Sequence, residues 1–267
     1  MPAAPLKIGI IGAAGWLGSS FARALLDSRI TNLENLTLSY RTARSEILPK
    51  ANWTTDNQAL VDDSDIIIVS VRPADLPALR IRIKGKLVIS VLAGPNLQTL
   101  KTHFGTNRMI RAMPNAGAEI GRSYTPWIAT SDIREADRTV VRQILQTFGI
   151  EDEVQDETLM DYLGGLTGTG PALPSLLRAA MIKDAIASGV PGDIAKRAVN
   201  QVLIGAGYLT EQHNDDAEAT IATFMEYRGV TAAALKTLRK AGFDQLVSRG
   251  LGAARDKSRE MSNDLER

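Results

Sequence analysis

The chain has no cysteine and only two histidines, His103 and His213, among 267 residues. Without thiols there is no disulfide, no thiolate nucleophile, no Cys-based zinc site and no Cys-ligated iron–sulfur cluster. Two histidines do not make a multi-histidine site, so no metal is expected. An excess of one charge is missing as well: 31 Lys and Arg stand against 30 Asp and Glu, a formal net charge of +1. That balance gives no general footprint for nucleic acid or an anionic membrane surface, and neither is expected as a partner. Long apolar runs are absent. The strongest near the N-terminus, Ile8 to Ile11, is broken by Gly9 and is too short for a signal-peptide core or a membrane span. A cytoplasmic protein is the expectation. The composition that remains, 44% apolar and 23% charged, is that of an ordinary globular chain and excludes disorder. Its length suits one large or two ordinary domains.

The first half alternates short apolar runs with helical stretches. Lys7–Ile11, Asn35–Tyr40, Asp65–Val71, Leu87–Leu92 and Arg108–Ala112 read as strands. Leu17–Leu26 reads as a helix with Leu17, Phe21, Ala24 and Leu25 on one face. Near-continuous β-branched runs separated by helices predict a parallel sheet covered on both faces, the doubly wound α/β pattern. After about Asp156 no strand is legible. Leu173–Ser188, Ile194–Tyr208 and Thr231–Lys240 carry helical spacing, with a stop near Gly242. Gln212–Asp216 reads as a polar loop, and Arg255–Arg267 as a solvated, fraying helix. The expected division is a dinucleotide-binding domain over 1–155 and an all-helical domain over 156–267. The helical half can bury its faces on itself or against a second copy. Its many small residues favour the second copy.

Gly12, Gly15 and Gly18 follow the first strand and open the first helix in a G-x-x-G-x-x-G spacing. The first glycine permits a sharp turn, the next lets backbone N–H groups approach a pyrophosphate, and the last lets helix and strand pack closely. A helix N-terminus then meets the anion with unpaired N–H groups and a partial positive charge. This predicts that Gly12, Ala14, Gly15, Trp16 and Leu17 bind a dinucleotide. A carboxylate at the end of the second strand would hold a ribose 2′-hydroxyl. Here that strand ends Ser39-Tyr40-Arg41-Thr42-Ala43-Arg44, with no acid before Glu46. Arg41 and Arg44 can pair with a 2′-phosphate, and Ser39 or Thr42 can hydrogen-bond it. NADP(H) is the cofactor this implies. The alternative is a solvated arginine loop.

Three further motifs carry a resemblance: Val71-Arg72-Pro73 after the third strand, Arg111-Ala112-Met113-Pro114-Asn115, and Leu166-Thr167-Gly168-Thr169-Gly170-Pro171-Ala172. In order and spacing they are similar to those of the pyrroline-5-carboxylate reductase family, over essentially the whole chain. The resemblance implies a Rossmann domain followed by an all-α dimerisation domain, and NAD(P)H-dependent reduction of a cyclic imino acid to proline. It also implies a homodimer that can assemble into larger rings, with the active site at the dimer interface. It places Met113, Pro114 and Asn115 near the nicotinamide, Asn57 near the adenosine, and Val71, Arg72, Pro73 and Ala93 along the path between.

Departures from the family pattern fall on the substrate side. The family's Glu and Asp, four residues apart on one helix face, correspond to Ala179 and Lys183, and its tyrosine to Leu173. Its Ser-Pro-Gly-Gly-Thr-Thr turn, whose backbone holds the substrate carboxylate, corresponds to Glu226-Tyr227-Arg228-Gly229-Val230-Thr231. Lys183, Arg228, Gly229, Val230 and Thr231 are therefore the expected substrate residues. Arg228 can grip a carboxylate bidentately, while Lys183 faces substrate or merely pairs with Asp184 or Glu226. By the resemblance Thr231 hydrogen-bonds the ring nitrogen; as a plain residue it would cap a helix. Asn115 orients the nicotinamide or only makes a turn. His103 reads as structural and His213 as solvated. The competing functions are a reductase for another imine or keto substrate and an NADP-binding protein without catalysis.

Overall fold

The computed structural model describes residues 6–213 and 216–264. Among them, contacts divide the chain into two compact units: Met1–Thr169 with Ala254–Arg267, and Gly170–Ala253.

The first unit is built on an eight-stranded sheet: β1 (Ile8–Ile11), β2 (Leu36–Ser39), β3 (Asn52–Thr54), β4 (Ile66–Val69), β5 (Leu87–Ser90), β6 (Met109–Ala112), β7 (Ser123–Ala129) and β8 (Gly149–Glu153). Their order across the sheet is β3-β2-β1-β4-β5-β6-β7-β8, and every neighbour is parallel except β6 with β7. Helices α1 (Trp16–Asp27), α2 (Asn57–Asp63), α3 (Leu97–Phe104), α4 (Glu135–Gln146) and α5 (Glu157–Gly168) belong to this unit. The strand side chains sort into two cores. Ile8, Ile10, Ile66 and Ile68 join Phe21, Leu25 and Val141. Ile67, Val69 and Val88 join Leu60, Leu100 and Phe104. A strand buried on both faces has no polar alternation, which is why Ile66–Val69 is so legible in the sequence.

Three strands are not legible there. β7 contains Pro126, whose missing N–H argues against a central strand. The registered pairing with β6 runs from Trp127 to Ala129, so Pro126 falls beyond that ladder. β8 (Gly-Ile-Glu-Asp-Glu) is an acidic edge strand, and β3 is three residues at the opposite edge. Charge on an edge discourages pairing with other chains and also hides the strand from a hydrophobic pattern.

The second unit contains α6 (Ala172–Ala187), α7 (Gly192–His213), α8 (Ala217–Glu226), α9 (Val230–Lys240) and α10 (Phe243–Asp264) as far as Ala253. Two expectations are corrected. Gln212 and His213 lie in the last turn of α7, and Asp216 caps α8 by accepting from the N–H of Glu218; Asn214 and Asp215 fall outside the described residues. The C-terminal segment does not simply fray in solvent. Ala254, Ser258, Met261 and Ser262 share one helical face. The Ser258 hydroxyl donates to Asp161 at 3.3 Å, and the buried Ser262 hydroxyl donates to the carbonyl of Gly94. Residues 265–267 lie outside the described residues.

The division after Thr169 lies further along the chain than the expected 155/156. α5 is tied to the sheet, because Arg111 of β6 pairs with Glu157 at 3.0 Å and Asp161 at 3.1 Å.

Candidate functional site

The chain leaves β1 at Gly12 with φ +83°, and a Cβ there would lie 2.6 Å from the carbonyl oxygen of Ser70. Both the backbone angle and the space demand glycine. Gly15 is the N-cap of α1, and no side chain caps the helix or places an acid in its first turn. The first-turn amides therefore keep their N–H groups and their positive field for an anion. Gly18 closes the arrangement, with space for a Cβ removed by the Gly12 oxygen at 2.6 Å. Ser39 pins the loop: its hydroxyl accepts from the Gly12 N–H at 3.2 Å and its carbonyl from the Ala13 N–H at 3.0 Å.

This loop opens onto a cavity of about 550 Å³ that takes in Gly12, Ala14, Gly15, Ser39, Arg41, Thr42, Asn57, Val71 and Arg72 from the expected set. Its volume is in the usual range for a ligand site. Asn57 contributes a buried Oδ1 with no hydrogen-bond partner, an acceptor still owed a donor. Unforeseen in the sequence is Asp75, which also lines the cavity and receives Arg41 Nη1 at 2.8 Å and Arg72 Nε at 3.1 Å. The hydrogen bonds from Arg41 and then Arg72 hold its carboxyl below the ordinary aspartate value. Asp75 lies on a short 3-10 turn, Pro73–Ala78, well separated in sequence from Arg41. Glycines for a pyrophosphate, an unmet acceptor, and cations at the end of β2 fit a phosphorylated dinucleotide.

Other expected cofactor residues do not line that cavity. Trp16 is 52% exposed and its indole N–H donates to Glu119 at 3.2 Å. Leu17 packs against the core. Arg44 is exposed, and Pro73 begins the 3-10 turn. Ala93 precedes Gly94, the residue that accepts from Ser262. The Met113 N–H donates to the Pro126 carbonyl at 2.9 Å, and Pro114 is half-buried beside it. Asn115 makes the turn: its side-chain oxygen accepts from the Gly117 N–H at 2.8 Å, and its own N–H donates to Ser123 at 3.0 Å. Arg111, two residues before Met113, is 1% exposed, and its Nε is buried without a partner. His103 is structural, with Nε2 at 3.0 Å from the Leu79 carbonyl.

In the second unit Ala179 and Lys183 are exposed on α6. Arg228 joins α8 to α9 with φ +51°, a left-handed conformation that glycine adopts freely and arginine does not. The family pattern has its first glycine here. Gly229 has φ −90° and is the N-cap of α9. Thr231 is therefore the second residue of the helix and not its cap, which leaves its hydroxyl uncommitted to capping. Val230 is 89% exposed.

Among the described residues no group of His, Asp or Glu can hold a metal ion, and no helix is long and apolar enough to cross a membrane.

Residues 157–261 match the family described as pyrroline-5-carboxylate reductase dimerisation. Residues 7–94 match the family described as NADP oxidoreductase, coenzyme F420-dependent. The pyrroline-5-carboxylate reductase of Synechocystis sp. is 28% identical, with 96% of this chain and 98% of that protein covered. That of Arabidopsis thaliana is 27% identical, with 98% of each covered. The crystal structure of Plasmodium falciparum pyrroline carboxylate reductase with NADP bound superposes with a TM-score of 0.83. It is 25% identical, and 96% of this chain and 98% of that one are covered.

Proposed function

We propose that this chain, which belongs to the pyrroline-5-carboxylate reductase family, reduces the C=N bond of 1-pyrroline-5-carboxylate, or of a closely related cyclic imino acid, with NADPH. The observation that carries this reading is the cavity at the ends of β1, β2 and β4, where the glycine loop, the unmet Asn57 acceptor and Arg41 converge. Gly12, Ala14 and Gly15 would hold the pyrophosphate, Asn57 the adenosine, and Arg41 with Ser39 and Thr42 the 2′-phosphate.

When bound, NADPH supplies hydride. The protein then has to orient the imino acid and manage one proton at nitrogen, which needs no strong general acid. Thr231 is assigned to hydrogen-bond the ring nitrogen, since its hydroxyl is not consumed as a cap. Arg228 is assigned to the substrate carboxylate, with its fork of donors replacing a backbone grip. Its strained φ is consistent with a residue kept for a ligand. Lys183 adds a second cation in place of the family's acid. The reading that favours a different imine rests on the same change of charge, an acid lost at Ala179 and one reversed at Lys183.

The helical unit is assigned to homodimerisation. Its described side chains include only Ala195, Val199 and Ala232 as buried apolar residues, while Leu176, Val202, Ile204, Tyr208 and Leu209 are each more than half exposed. Faces this apolar call for a second copy.

The test is turnover of pyrroline-5-carboxylate by the purified protein and by Thr231→Val. Proline formation that falls about ten- to a hundredfold in kcat in the variant, with NADP⁺ affinity unchanged, is expected. No proline from the unaltered protein overturns the substrate, and an unchanged kcat overturns the role of Thr231.

A further inference from the structure

We propose that Asp75 is a displaceable counterion at the 2′-phosphate position and thereby sets how strongly the chain prefers NADP(H) over NAD(H). This rests on the assignment of the β1–β2–β4 cavity to a dinucleotide.

The end of β2 offers no carboxylate in sequence, which pointed to a 2′-phosphate. The fold brings one in from elsewhere. Asp75 reaches the same cavity from the turn after β4 and occupies Arg41, the cation best placed for that phosphate. Its two oxygens are used separately, Oδ1 by Arg41 and Oδ2 by Arg72. Losing Arg41 therefore leaves Asp75 still held by Arg72. The carboxylate side chain is 29% exposed, whereas Arg41 and Arg72 are 69% and 74% exposed. The outer donors of Arg41 thus face solvent, with one of its five N–H groups committed to Asp75. An ion pair this exposed is weak and easily rearranged.

These features make Asp75 act oppositely on the two dinucleotides. A 2′-phosphate brings about two negative charges at neutral pH and must either displace the carboxylate from Arg41 or bind beside it. A ribose 2′-hydroxyl carries no charge and can donate to a carboxylate, the arrangement known from NAD-binding strands. Asp75 opposes the first ligand and accommodates the second. A chain whose β2 sequence points to NADP(H) thus carries a built-in brake on that preference.

The experiment is calorimetric titration of the purified protein, Asp75→Asn and Asp75→Ala with NADP⁺ and NAD⁺. Adenosine 2′,5′-bisphosphate and AMP serve as minimal probes. Both variants are expected to bind NADP⁺ and the bisphosphate about three- to tenfold more tightly. NAD⁺ and AMP should gain nothing, and the NADP⁺ gain should shrink as salt is raised. Weaker NADP⁺ binding in both variants would overturn the proposal, because Asp75 would then be holding Arg41 in its binding pose. An equal change for NADP⁺ and NAD⁺ would also overturn it. Failure of the unaltered protein to bind either dinucleotide would remove the cofactor assignment as well. A dinucleotide that binds without the Asp75 contrast removes only the brake.

Discussion

Replacing Gly18 by alanine puts a Cβ 2.6 Å from the Gly12 carbonyl oxygen and 2.8 Å from the Ala13 Cα. Both are backbone atoms of the phosphate loop and cannot rotate away. To reach ordinary contact, the start of α1 must withdraw from the loop by several tenths of an ångström. That withdrawal is resisted, since α1 carries Phe21, whose ring meets Phe148 edge-on at 4.0 Å, and Leu25 at 0% exposure. Overpacking of this kind costs about 1–3 kcal/mol. Alanine returns at most ~1 kcal/mol through helix propensity, and less in a first turn. A net loss of about 1–2 kcal/mol is expected in urea unfolding followed by tryptophan fluorescence. Because the helix N-terminus is what moves, NADP⁺ binding should weaken about tenfold or more. Gly15→Ala is the internal control. Its Cβ would meet only the Gly12 oxygen, at 3.3 Å, from an ordinary φ of −72°. It should cost about 0.5–1 kcal/mol, the penalty of alanine at an N-cap. If Gly18→Ala costs no more stability than Gly15→Ala, the close approach of helix and loop does not hold the site together.

Three other outcomes follow from particular side chains. Burial pushes the Asp137 carboxyl up, but hydrogen bonds from Arg108 and Arg134 overcome this and hold it at about 2. A depressed folded-state value stabilises above the unfolded value of about 3.9 and loses that stabilisation as pH falls from about 4 to 2. Roughly 2 kcal/mol is at stake, and Asp137→Asn should flatten the urea midpoint across that window. Arg228→Gly relieves a left-handed arginine and should stabilise the protein by about 1 kcal/mol while raising KM for the imino acid. An unchanged KM would strip Arg228 of its substrate role. Glu157→Ala leaves the 1%-exposed Arg111 short of a partner and should destabilise by about 3 kcal/mol, read from the urea midpoint. A loss below about 0.5 kcal/mol would mean that Asp161 and solvent suffice.

What the sequence makes legible follows from how local each signal is. The Gly12–Gly18 loop can be read because each glycine answers a constraint set within a few residues. Asp65–Val71 can be read because both its faces are buried. β7 hides behind Pro126, and β8 hides behind its three acids, Glu151, Asp152 and Glu153. Asp75 escapes notice because its partner Arg41 lies on the far side of β3 and β4 in sequence; an acid two residues beyond the Arg72-Pro73 that follows β4 is the one signal that could have marked it. The end of α10 looks like a solvated charged tail because its packed face, Ala254, Ser258, Met261 and Ser262, sets one large apolar residue among small ones. At Thr231 the three alanines that follow suggest a cap, yet the preceding left-handed residue, Arg228, moves the cap to Gly229.

The most direct test of the central claim is the initial rate of NADPH oxidation by the purified protein with 1-pyrroline-5-carboxylate. It is run beside the six-membered-ring homologue and NADH, with the amino acid product identified. The account predicts proline as product, with NADPH preferred and the five-membered ring turned over faster. Tight NADPH binding with no proline formed would contradict it.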